Sequence, residues 1–345
     1  MNDLRYHVNL NKLLNEFCNK NFIIDDLQKR YYLKLLAEQI SNGYKIVDKY
    51  LLNSAKNNNI QISCQEFNKE KIEDSYLDPL YEINEVVKEE LLNHIKGFFY
   101  HGSMSTMDYA KGWSDIDSFI IIKKESICDP QKLLEVKSAI EKIYNLKIKF
   151  DPLQHHGVNI FTEYDLLLFP DTFIPLNTVG PISAVKGSIM SFNYNLRETN
   201  FNKKNSLIGL LKFLQKTHKK GIFEHHPYKN EYLLSEFRNR QNGMYQMKYY
   251  LGTFLLLPSL YLGVIKGNTY KKTALSNIDA LFSKQSVDWI NKISNLRTNW
   301  HNEMIGISMI NQIPEFVKNY IPNNYFELGS DFATEVLLLL ENHKI

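Results

Sequence analysis

The sequence predicts an α+β protein in which a small mixed sheet lies between a helical N-terminal region and an α-helical C-terminal domain. Three observations predict it. Apolar residues recur at helical spacing from about residue 10 to residue 95, short β-rich runs broken by one helical segment occupy roughly 96–185, and helical spacing returns from about 203 onward. A chain of 345 residues exceeds one small core and suits two or more compact parts, read here as 1–95, 96–185 and 186–345.

The N-terminal helices rest on "LLNEFCNKNFIIDDLQKRYYLKLLAEQI" and "LYEINEVVKEELLNHI". The polar "NSAKNNNIQIS" is expected to break this region, and "SYLDP" marks a further turn. After Gly97 the runs "FFYHGS" and "DIDSFIIIKK" read as strands. "DPQKLLEVKSAIEKIYNL" reads as a helix with Asp129 as N-cap and Pro130 at its first position. "KIKFD" and "GVNIFTEYDLLLF" are β-like runs. Helices then follow in "SLIGLLKFLQKTHKK", "SVDWINKISNLRTNW" and "DFATEVLLLLENH", with Trp289 and Trp300 read as core.

Composition narrows the class. Hydrophobic residues make up 44% and charged residues 23%, an ordinary balance for a globular chain with a sizeable interior. A net charge of +3 argues against wholesale nucleic-acid binding. The three cysteines, Cys18, Cys64 and Cys128, form no CxxC pair and suit a reducing cytoplasm. No basic segment followed by an apolar run opens the chain, so no secretory signal is expected. Residues 249–265 carry no charge but fall short of the roughly 20 apolar residues a bilayer requires, and they include Pro258; a core helix is expected and no membrane partner. The chain has no Walker lysine loop, GxGxxG, HExxH or GxSxG.

Chemistry concentrates in "FFYHGSMSTMDYAKGWSDIDSFIIIKK", residues 98–124. Strand alternation would put Asp115 and Asp117 on one face, about 6.5 Å apart, with Ile116 turned into the core. Two carboxylates so close repel unless positive charge joins them, and such a pair suits one or two Mg²⁺ ions that complete their shells with water and phosphate oxygens. Gly102 and Ser103 stand where the preceding strand ends. The glycine allows close backbone approach to a ligand, and the amides and hydroxyl can donate to phosphate.

This arrangement resembles the DNA polymerase β-like nucleotidyltransferase superfamily, whose signature is an apolar residue, Gly-Gly or Gly-Ser, a short spacer, and acid-apolar-acid at the next strand. Here it stands as Tyr100, His101, Gly102, Ser103, the spacer 104–114, then Asp115, Ile116, Asp117, Ser118 and Phe119. His101 and Ser118 depart from the usual apolar positions. The resemblance implies that Gly102 and Ser103 bind a nucleoside triphosphate and that Asp115 and Asp117 hold two Mg²⁺ ions, with ATP the default donor. It also implies a third acid on a later strand that deprotonates the acceptor. Asp151 is preferred for that role, with Asp165, Glu163, a histidine, or no acid acting as base left open.

Between these acids, His155 and His156 precede Gly157 and read equally as a base near neutral pH, as phosphate or sugar ligands, or as a polar strand entry. In the helical half, "LYLGVIKGNTYKKTALSNI" is similar to the aminoglycoside adenylyltransferase pattern of glycine, turn and lysine-led helix. That likeness implies Lys271 or Lys272 as a triphosphate ligand, with solvated surface lysines as the alternative. The expected activity is cytoplasmic, Mg²⁺-dependent transfer of a nucleoside monophosphate to an unidentified acceptor hydroxyl with loss of pyrophosphate. A small molecule, RNA or a protein as acceptor, a cyclic-dinucleotide synthase, and a non-catalytic nucleotide-binding module stay open. Residues 1–95 carry no functional signal, and the oligomeric state is open.

Overall fold

The computed structural model describes residues 2–19, 26–51, 59–67, 75–151, 157–170, 181–197, 203–220, 244–266, 270–304 and 315–342. These fall into two compact units. The first draws on the described residues of 1–109, 114–175 and 181–199, and the second on those of 110–113 and 200–345. The fold is mixed α and β.

The first unit is built around β3 (Ile95–Tyr100) and β4 (Ser118–Ile122), which pair antiparallel. Around them stand β2 (Gln65–Glu66), β5 (Asn159–Thr162) and β7 (Ser183–Ala184), in the order β2-β7-β3-β4-β5, with β4 and β5 parallel. A second sheet joins β1 (Asn59–Ser63), β8 (Ser191–Arg197) and β6 (Phe169–Pro170) in the order β1-β8-β6. The expected polar break at "NSAKNNNIQIS" thus contains a strand: Ile60 and Ile62 pair with Tyr194 and Phe192, partners far along the chain.

Alternation along β3 and β4 serves two cores. Phe98, Tyr100, Ile120 and Ile122 join Leu14, Phe17, Ile40, Ile83 and Ile140 from the helices. The intervening Phe99 and Phe119 stack 4.8 Å apart, and aromatic contacts run on through Phe161, Phe169 and Phe192 to the second sheet. Ring edges meeting faces at these distances add to the burial of large apolar area.

Helices α1 (Asn2–Asn19), α2 (Asp26–Leu51), α3 (Asp78–Val86) and α6 (Pro130–Phe150) supply the other layer, and α6 packs against the other three; the short α4 (Gly102–Thr106) and α5 (Lys124–Ile127) come between α3 and α6 along the chain. Asp129 caps α6 as expected, accepting from the amides of Gln131 and Lys132 at 2.9 and 3.4 Å, with Pro130 at its start. The β-like reading of "KIKFD" is corrected: α6 runs through Phe150. Ile148 and Phe150 alternating with Lys147 and Lys149 mimic a strand, but Ile143, Tyr144, Leu146 and Phe150 keep the helical burial going. "GVNIFTEYDLLLF" is likewise interrupted. Thr162 and Asp165 form a capping box that turns the chain into α7 (Glu163–Leu167) directly after β5.

β5 is an edge strand, and α1 covers its edge with side-chain amides. Asn15 accepts from the Ile160 amide (2.8 Å) and donates to the Ile160 carbonyl (2.9 Å); Asn19 does the same for Val158 (2.8 and 2.9 Å); Asn11 also donates to the Ile160 carbonyl (3.0 Å). Three asparagines at four-residue intervals on one helix face satisfy backbone groups that an edge leaves open.

The second unit is helical. Lys203–Lys220, Met244–Ile265, Lys284–Met304 and Tyr325–Asn342 enclose Leu211, Leu251, Phe254, Trp289, Ile293, Phe332 and Val336, with Phe254 against Trp289 at 5.9 Å. Trp300 is core as expected and meets Trp113 edge-on at 4.8 Å. Met244–Ile265 passes through Pro258 as one helix. Among the described residues it alone is long and apolar enough to cross a membrane, and half of that stretch is buried in the fold, with Leu256 and Leu260 exposed.

Candidate functional site

The site is built at one end of the β3–β4 pair. β3 ends at Tyr100, whose hydroxyl donates to Asn84 Oδ1 at 2.9 Å, and the His101 amide carries the ladder one step further by donating to the Asp117 carbonyl at 3.1 Å. The chain then turns through Gly102 at φ +63°, a left-handed conformation that favours glycine, into a short helix, Gly102–Thr106. A Cβ on Gly102 would stand 2.7 Å from Asp117 Oδ2. The glycine therefore lets the turn close directly onto the second carboxylate.

Asp115 and Asp117 lie just before β4 begins at Ser118, and their alternation matches the strand that follows. Ile116 is fully buried while both aspartates keep partial exposure. Between the turn and the acids, Ala110–Trp113 clusters with the helical unit, where Trp113 is nearly buried.

One residue that sequence reasoning passed over stands beside this pair. Lys147, on α6, is fully buried; its ammonium donates to the Gly157 carbonyl at 2.7 Å and to Ser118 Oγ at 3.3 Å. Burial pushes it down from 10.5 to about 8, and the Asp117 and then the Asp115 carboxylates pull it back up. The available signal was a lysine between the apolar residues Leu146 and Phe150 of a helix face. Asn159 completes the frame by donating from Nδ2 to the Ser118 carbonyl at 3.3 Å, so the starts of β4 and β5 are tied together.

The candidates for a third acid occupy different surroundings. Asp151 ends α6 and is 2% exposed, its amide donating to the Lys147 carbonyl at 2.9 Å. Asp165 is fully buried and occupied: His7 Nε2 lies 2.7 Å from Oδ1, and Oδ2 accepts from Asn11 at 3.0 Å and from the amide and hydroxyl of Thr162 at 2.6 and 2.8 Å. Glu163 accepts from the Lys124 amide at 2.8 Å and pairs with Lys96 at 3.2 Å. His155 and His156 lie outside the described residues. Register places Asn159 opposite Phe119, so Gly157 and Val158 come level with Asp117 and Ser118, and residues 152–162 contain no acid. Among the described residues no group of three or more His, Cys, Asp or Glu is arranged to hold a metal ion.

Lys271 and Lys272 open a short helix, Lys271–Leu275, as the sequence suggested, with Lys272 exposed. They belong to the helical unit, whereas Gly102, Ser103, Asp115 and Asp117 belong to the sheet unit.

Comparison of the chain with protein-family models, with curated proteins and with solved structures found no match.

Proposed function

We propose that the chain is a divalent-cation-dependent nucleotidyltransferase that moves a nucleoside monophosphate, AMP by default, from a nucleoside triphosphate to an acceptor hydroxyl. The observation that supports this most is the close approach of Gly102 to Asp117: a turn able to donate to phosphate is closed against one of two carboxylates flanking a buried isoleucine. The donor set suits hard cations, because Asp115 and Asp117 offer oxygen only and remain partly open to solvent.

Asp115 and Asp117 would hold Mg²⁺. When bound, Mg²⁺ supplies charge neutralisation of the phosphates and of the departing pyrophosphate. Gly102 lets the turn lie directly against Asp117, and the Ser103 hydroxyl and amide would orient the triphosphate. The base for the acceptor hydroxyl is Asp151 or His156.

A second reading, a nucleotide-binding module without transfer chemistry, is favoured by the absence of an acid from Asn159–Thr162, the strand that pairs with β4.

One experiment separates the two. Purified chain is incubated with Mg²⁺ and each labelled nucleoside triphosphate, with RNA, protein and small-molecule acceptors, beside Asp117→Asn. The transferase reading expects pyrophosphate release at least about 100-fold lower in the variant. Equal release in both proteins removes it, and nucleotide binding without release supports the module.

A further inference from the structure

We propose that Lys147 is the built-in counter-cation of the Asp115–Asp117 pair, a positioning residue that holds the two carboxylates together and weakens their grip on added divalent cations. Its second part rests on the reading of these acids as metal ligands; its first part does not.

Lys147 is buried on a helix face that is otherwise apolar. Its neighbours along α6, Ile143, Tyr144, Leu146 and Phe150, are buried, and Lys147 is buried with them to 0% exposure. A lysine on a helix usually lays its stem on apolar surface and carries its ammonium out to water. Here the ammonium stays inside, which is costly for a charged group unless acceptors and an opposite charge meet it. The Gly157 carbonyl and Ser118 Oγ supply two acceptors, and the opposite charge comes from Asp117 and Asp115.

The Lys147 ammonium also bridges two neighbouring chain segments. Ser118 is the residue directly after Asp117 and opens β4, and Gly157 stands two residues before β5, the strand paired with β4. Gly157 cannot be larger, because a side chain there would run into Asn19. Asn19 in turn holds both backbone groups of Val158. The ammonium is thus anchored on a backbone that α1 fixes from the other side, and so its charge is fixed relative to the acids. Two carboxylates this close along the chain repel, and a fixed positive charge beside both offsets that repulsion in the absence of metal.

The same charge opposes any cation the pair binds. Removing it while keeping a donor for the Gly157 carbonyl should leave the acids more attractive to metal. A residue that only shaped the site would act with the opposite sign, since a disordered pair binds less.

The test measures Mn²⁺ binding by calorimetry at neutral pH for wild type, Lys147→Gln and Lys147→Arg, with a thermal-melt cycle of Lys147→Gln against Asp117→Asn. The expected results are Mn²⁺ affinity at least about tenfold tighter in Lys147→Gln and within about threefold of wild type in Lys147→Arg. In the melts, Lys147→Gln should lower Tm by about 5 °C or more in wild type, with at least half of that loss absent in the Asp117→Asn background. Unchanged or weaker Mn²⁺ binding by folded Lys147→Gln overturns the metal part, and additive melts overturn the counter-cation part. Should neither wild type nor Lys147→Gln bind Mn²⁺, the metal reading of the acids falls and the melt cycle alone decides the role of Lys147. Should Lys147→Gln fail to fold, recovery of folding by Asp117→Asn supports the proposal and persistent unfolding overturns it.

Discussion

Gly102 lies so close to Asp117 that one methyl group would fill the gap, 2.7 Å from Oδ2. This contact joins the turn after β3 to the acid before β4 and makes them one site. Gly102→Ala would place a side chain at φ +63° and push the carboxylate aside. The backbone part should cost about 1–2 kcal/mol. On the proposed function the displaced oxygen is a metal ligand, so Mn²⁺ affinity should fall at least about tenfold. Urea unfolding and Mn²⁺ titration of the variant check the two effects separately, and unchanged Mn²⁺ binding would remove Gly102 from the site.

Asn15 acts as an extra strand residue, exchanging two hydrogen bonds with Ile160 on the edge of β5. Asn15→Ala leaves the Ile160 amide without that partner, and a buried polar group left unmet costs about 1–3 kcal/mol. The loss should appear in urea melts. Hydrogen exchange should rise at the Ile160 amide while that at Ile120, in the middle of β4, tracks only global stability. Exchange unchanged at Ile160 would show that the edge is satisfied by other means.

Asp165 is built into the frame of the first unit. Its carboxylate meets His7, Asn11 and Thr162 in a fully buried cluster. Asp165→Ala should therefore destabilise the fold by about 3–5 kcal/mol, since it leaves the facing groups of that buried cluster without their partner. Where the variant remains folded, its pyrophosphate release per folded molecule should match wild type. Loss of release without loss of stability would instead make Asp165 the missing base.

Lys147 should leave a signature in the pH dependence of stability. Its ammonium sits at about 8 in the folded chain against 10.5 when free. Between those values the unfolded chain binds the extra proton, so stability contributed by this site rises with pH through the window from about 8 to 10.5 and is flat below it. The full gain is about 3 kcal/mol at most. Comparing wild type with Lys147→Gln by urea unfolding at pH 7, 8, 9 and 10 isolates it, because other titrations are common to both proteins. A difference that falls with rising pH would refute the assignment.

Much of this was legible from local chemistry. Asp129 and Pro130 announce the start of α6 because a cap and a first-turn proline act within a few residues. Asp115 and Asp117 stay partly exposed around the buried Ile116 because alternation is set by the backbone itself and holds even just outside the strand. Trp289 and Trp300 are core for reasons of size and polarity alone. Other features depend on partners distant in sequence. "KIKFD" alternates like a strand, yet continues α6, a helix that packs against α1, α2 and α3 and buries Phe150 beside Tyr76. Asn59–Ser63 becomes a strand only because Ser191–Arg197 pairs with it.

The sequence by itself determined where the acids and the glycine turn stand, because short-range backbone geometry decides which side chains share a face. Tertiary structure alone decided that Gly102 meets Asp117, that Asp165 is spent on His7 and Thr162, and that Lys147 lies buried beside the two aspartates. The reason is physical: burial and charge pairing are properties of neighbours in space, and those neighbours come together only when the helices and the two sheets close over one another.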